Sequence, residues 1–164
     1  MVKKDFSARW AAITIAGLAF ALSWAGCSKT PTEVEDSTLI TGYDSLGVSR
    51  NDSPDIFYFR SGSVTYGSFQ LWWLSDLTSP QLVQLRSNYG IKMGTGNVAP
   101  DSGYVNEITL DSSPVMQSFF LKTDNVPHYG KLTIISRRDE SSSGYTFIGF
   151  QWIVQTVAGK RELY

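Results

Sequence analysis

The chain has 164 residues with 14 basic and 15 acidic side chains, and a single cysteine and a single histidine. This near-neutral balance, without a basic run, excludes an electrostatic nucleic-acid binder, and one cysteine excludes an internal disulfide. Once an N-terminal leader is set aside, the length suits one domain of ordinary size.

The first element in chain order is that leader. Lys3, Lys4 and Arg9 precede an uncharged stretch from Trp10 to Ala25, the layout of an export signal. The stretch is too short for a bilayer span, which takes about 20 apolar residues, and it closes on small residues. Leu22-Ser23-Trp24-Ala25-Gly26-Cys27 resembles the lipobox of bacterial lipoproteins, with Ala25, Gly26 and Cys27 matching and Trp24 standing where Leu is usual. The resemblance implies cleavage after residues 1–26 and a lipid on Cys27, which explains a lone cysteine in an exported chain. Loss of Lys3, Lys4, Arg9 and Asp5 takes the formal charge from −1 to −3. In such lipoproteins a residue other than Asp after the anchor, here Ser28, is associated with the outer membrane.

Residues 27–54 are polar and acidic, with Thr30, Pro31, Thr32, Glu33, Glu35 and Asp36 near the start, and read as a flexible tether. A coil of that length reaches about 25 to 30 Å. Leu39, Ile40 and Tyr43 are candidates for docking on the domain.

Residues 55–164 carry the domain. Short runs rich in Val, Ile, Thr, Tyr, Phe and Trp, separated by Gly, Ser, Asn, Asp and Pro, predict strands over Ile56–Arg60, Val64–Leu74, Leu82–Arg86, Tyr104–Leu110, Val115–Thr123, Lys131–Arg137 and Thr146–Val157. No amphipathic helix is predicted. Regular spacing implies antiparallel connections, hence an all-β sandwich or barrel-like domain. Alternation puts Ile148, Phe150, Trp152 and Val154 on the core face of the last strand. It also sets Trp73 inward with Phe69 and Leu71, and Trp72 outward with Ser68 and Gln70.

The chemistry-bearing residues are sparse. Gly94-Thr95-Gly96-Asn97 lacks the Lys-Ser/Thr ending of a phosphate loop and reads as an exposed turn. His128, with Asp124 nearby, is the one conventional base for a serine nucleophile, but Asp124-Asn125-Val126-Pro127 reads more simply as a turn leading Tyr129 and Lys131 into a strand. One imidazole and an acylated thiol do not make a zinc site. Asp52, Asp55 and Asp101 match no calcium loop and read as solvated acids, and Arg137-Arg138 as an edge-strand charge pair. No metal, cofactor or catalytic residue is therefore assigned.

A second resemblance covers roughly 45 residues near the C-terminus. Leu121-Lys122-Thr123-Asp124-Asn125, His128-Tyr129-Gly130-Lys131-Leu132-Thr133-Ile134, Gly144-Tyr145-Thr146-Phe147 and Phe150-Gln151-Trp152 are similar to the closing strands of HmuY-type envelope lipoproteins. That likeness implies an all-β lipoprotein and, in its best-known members, haem held by two axial histidines. This chain has only His128, in the structural strand motif, and Trp72-Trp73-Leu74 where the family carries a Trp-Asp pair, so no ligand residue is carried over.

The expectation is a non-enzymatic binding or scaffolding module anchored to the membrane through Cys27, for a small molecule, glycan or partner protein. A hydrolase using loop carboxylates or serine, and a haem-capture lipoprotein lacking the paired histidines, are the alternatives. Trp72, an aromatic on a mixed face, is the residue expected to touch a ligand or partner.

Overall fold

The structure is a computed structural model that describes residues 38–50, 52–75, 82–140 and 142–164. The leader, Cys27 and the first part of the expected tether lie outside the described residues.

Eight strands follow in chain order: β1 (Leu39–Ser49), β2 (Asp55–Ser61), β3 (Val64–Ser75), β4 (Leu82–Met93), β5 (Val105–Thr109), β6 (Ser118–Lys122), β7 (Tyr129–Glu140) and β8 (Tyr145–Gln155). They form one antiparallel sheet in the order β1-β8-β7-β6-β4-β3-β2, with β5 beside β4 at Gln84 to Arg86 and again at Ile91. The sheet curls until its ends nearly meet in a barrel-like shape. At the seam an Asp55 carboxylate oxygen on β2 accepts the Gly47 N–H of β1 at 3.0 Å. The all-β expectation therefore holds, in its barrel-like form.

The interior is aromatic because the alternation demands it. Phe57 and Phe59 from β2, Phe69 from β3, and Phe150 and Trp152 from β8 pack with ring centroids between 5.1 and 5.9 Å apart. Leu46, Val48, Leu71, Leu85, Ile91, Leu121, Leu132, Ile134 and Ile148 are among the aliphatic residues packed around these rings. Burying each such side chain contributes about 1.5 to 3 kcal/mol, and edge-to-face ring pairs add to that. Trp152 fits because it lies on Gly42 of β1, where any Cβ would stand 2.7 Å from its ring. Trp73 packs against this core from β3, on the face the alternation assigned it. Both indoles are half-buried rather than fully enclosed.

Three expectations are corrected. The tether does not run to residue 54: Leu39–Ser49 is a strand paired with β8 along its whole length, and one compact unit spans Asp36–Tyr164. Leu46 and Val48 are buried in the core, so this segment is part of the domain. The strand expected over Leu82–Arg86, β4, continues beyond Arg86 to Met93, because Gly90, with φ +121°, lets Ser87-Asn88-Tyr89-Gly90 bend the strand instead of ending it. Finally, Arg137-Arg138 does lie where β7 pairs with β8 alone, beyond its pairing with β6 at Tyr129 to Thr133, but Arg137 is not an exposed charge, because a bulge between Ile134 and Ser136 shifts the register. The shift puts the Arg137 side chain at 4% exposure against Asp139, where it also donates to the Asp111 carbonyl at 2.8 Å.

A smaller apolar cluster sits on the outer face of β6 to β8, where Phe120, Tyr129 and Ile153 meet Ala99, Tyr104 and Leu163. Two irregular segments cover it, tied together by Ala99 N–H to Arg161 O at 2.9 Å and Leu163 N–H to Asn97 O at 2.7 Å. Burial first, and the neighbouring Tyr129 second, push the Tyr104 hydroxyl up to about 12, with Arg161 opposing them. A phenol whose folded pKa is raised contributes stability that is complete below its unfolded value near 10 and is lost as pH rises through about 12. Tyr104→Phe is thus expected to flatten the fall in stability across that alkaline window, measured by urea unfolding at stepped pH. An unchanged slope would show that Tyr104 is not responsible.

Candidate functional site

The segments that cover the small cluster stop short of the neighbouring sheet surface and leave a groove there. Cross-strand register builds it: Thr41, Ile153 and Lys131 form one row across β1, β8 and β7, and Tyr43, Gln151 and Thr133 form the next. These rows lie about 7 Å apart, two residues along an antiparallel strand. Leu163 closes one end, and the half-open space measures about 190 Å³. That is below the range of about 300 to 1,000 Å³ of pockets that enclose whole drug-sized ligands, and suits one ring of a larger molecule.

The groups facing this space are mostly uncharged. Thr41 and Gln151 are exposed and make no side-chain hydrogen bond among the described residues. Thr133 shares a 2.8 Å hydrogen bond with Ser118, leaving further capacity on its hydroxyl. Among the described residues Lys131 is the one charged lining residue. Its ammonium donates to the Gly96 carbonyl at 2.6 Å and lies 5.7 Å from the Phe120 ring centre, so it is held in place with two donors remaining. Tyr43, opposite Gln151, is 71% exposed.

Farther along the same face, Gly47 leaves room for the Phe147 ring, which would stand 2.7 Å from a Cβ there. Phe147 stacks on Tyr145 at 5.7 Å and 18°, and the Arg138 guanidinium lies 4.9 Å above it. The Tyr145 hydroxyl bonds to Asp52, which lowers the pKa of that carboxyl with help from Ser49 and raises the pKa of the phenol.

The residues singled out from sequence fall elsewhere. Trp72 is on the outer face of β3 and half-buried. Its indole N–H donates to Gln70 at 2.7 Å, and Arg86 lies 4.3 Å over its ring while bonding Gln84 at 2.6 Å and pairing with Glu107 at 3.3 Å. Its polar handle and one ring face are thus engaged within the sheet, some strands away from the groove. His128 and Asp124 do come together, with His128 Nδ1 2.6 Å from one carboxylate oxygen and the His128 N–H donating to the other at 3.0 Å. Both bonds fasten the same turn, as the turn reading of this segment expected. Asp52, Asp55 and Asp101 are spread apart: Asp55 serves the seam, Asp52 holds Ser49 at 2.7 Å, and Asp101 pairs with Arg161. Among the described residues no group of three or more His, Cys, Asp or Glu side chains converges on a metal position, and no helix is long and apolar enough to cross a membrane. Gly94-Thr95-Gly96-Asn97 is a largely exposed turn, and its Gly96 carbonyl receives Lys131.

Sequence reasoning missed Thr41, Lys131, Thr133 and Gln151. Alternation already placed Gln151 on the outer face of β8, but Thr41 belonged to a segment read as tether, so the row that joins them was invisible. Comparison with protein-family models, with curated proteins and with solved structures finds no match.

Proposed function

We propose that the chain is a binding module of the bacterial envelope, held at the outer membrane by a lipid on Cys27, and that the groove across β1, β8 and β7 receives its ligand. The observation that carries this reading is the pair of side chains that make no hydrogen bond among the described residues, Thr41 and Gln151, beside a fixed ammonium at Lys131. Surface hydrogen-bonding groups converging on a concavity are what ligand sites need, and here three strands supply them. The Asp124–His128 pair, by contrast, is used in holding its turn, which favours binding over catalysis. The test is a spectral titration of the isotope-labelled mature lipoprotein in detergent with glycan, peptide and lipid fractions of its envelope. Shifts centred on Thr41, Lys131, Thr133 and Gln151 are expected. Shifts centred on Trp72 and Arg86 instead would move the site along the outer face to β3 and β4.

The anchor rests on the order of charged, apolar and small residues that ends at Cys27. Cys27→Ser is expected to abolish metabolic labelling with palmitate and to release the protein from membranes. A Cys27→Ser product that is still acylated and sediments with membranes would overturn the lipoprotein reading.

A further inference from the structure

Building on the groove as the ligand site, we infer that its ligand is an acidic sugar, a uronic-acid-type residue within a glycan chain. Its carboxylate meets Lys131, and its ring hydroxyls meet Thr41, Thr133 and Gln151. Size is the first argument. A half-open space of about 190 Å³ holds one pyranose ring and leaves both neighbours of that ring in solvent, as a chain requires. Hydrogen-bonding character is the second. Two hydroxyls and a carboxamide each donate and accept, which matches a ring whose hydroxyls do the same, whereas a lipid tail or an apolar side chain would leave them unpaired at a cost.

Charge is the third argument, and it selects the acid. Among the described residues no carboxylate lines the groove and Lys131 forms no ion pair. Its ammonium is already fixed by the Gly96 carbonyl and the Phe120 ring, so little freedom remains to be lost on binding. A carboxylate there gains a charge-assisted hydrogen bond, roughly twice as strong as a neutral one. Tyr43 stands in register with Gln151 at the open side, positioned to cover the apolar face of the sugar ring.

The experiment titrates the mature lipoprotein in detergent with trigalacturonate and with the neutral maltotriose, following groove resonances. Trigalacturonate is expected to bind about tenfold tighter, the worth of one hydrogen bond to a charged group, and its advantage should shrink as salt is raised. Lys131→Met should remove that advantage while leaving maltotriose unchanged, and Lys131→Arg should keep it, which separates charge from any effect on folding. Gln151→Ala should weaken both sugars. Equal affinity for the two sugars overturns the acidic assignment and leaves the groove reading standing. Displacement of trigalacturonate by an equal concentration of inorganic phosphate would overturn the sugar assignment, since it would mark a bare anion site. If neither sugar shifts the groove, the inference fails, and the envelope-fraction titration then decides the groove by itself.

Discussion

Gly67→Ala is expected to destabilise the domain by about 3 kcal/mol or more, adding backbone strain of about 1 to 3 kcal/mol to overpacking of similar size. Gly67 has φ +110°, and an added Cβ would stand 1.9 Å from the Thr123 carbonyl oxygen. That oxygen is backbone, and it is not free to retreat. Thr123 is fully buried, its N–H donates to His128 O at 2.9 Å, and its carbonyl accepts Ser68 N–H at 3.2 Å. Its hydroxyl also donates to the Tyr66 carbonyl. This knot joins the start of β3 to the end of β6, where the bend in β4 has drawn the sheet together. Gly62 supplies the control: φ is +57° with nothing within 4 Å of a Cβ, so Gly62→Ala should cost only the left-handed strain, about 1 to 2 kcal/mol. Urea midpoints for the two variants give the comparison, and equal shifts would show that Thr123 does not press on Gly67.

Phe150→Ala is the second large effect, expected at about 3 to 5 kcal/mol, a third or more of the stability of a typical domain. Phe150 is 1% exposed, and its ring lies 5.2 Å from both Phe57 and Phe69. It therefore joins β8 to the strands at the far end of the sheet. Removing it opens a cavity among rings that close the barrel-like shape, and neighbours on opposite walls cannot collapse into it together. Trp72→Ala should cost only about 1 kcal/mol, the worth of one exposed cation–π contact and one hydrogen bond. Its indole covers the outer face of β3, outside the core. Equal losses for Phe150→Ala and Trp72→Ala would contradict the assignment of the two faces.

Which of these residues point inward was legible in the sequence wherever alternation ran unbroken. In β8 the period of two separates Ile148, Phe150, Trp152 and Val154 from Gln151 and Ile153, because successive side chains on a strand leave on opposite faces. The same rule gave Trp72 and Trp73 opposite sides, and the turn residues Asp124 to Pro127 announced the entry to β7. The all-β class follows from composition and spacing alone. Tertiary structure decided the rest. Leu39–Ser49 is polar enough to resemble a tether and becomes a strand only because β8 presents a free edge for it to pair with. Arg137 turns inward because a one-residue bulge at Ile135 reverses the face of everything after it, a shift with no mark in local hydrophobicity. The groove is the extreme case. Thr41, Lys131, Thr133 and Gln151 are ordinary polar residues far apart in the chain, and only the register of three strands brings them together. Alternation along one strand fixes the face of each residue, but which strand lies beside it, and at what register, is settled by packing between segments far apart in sequence.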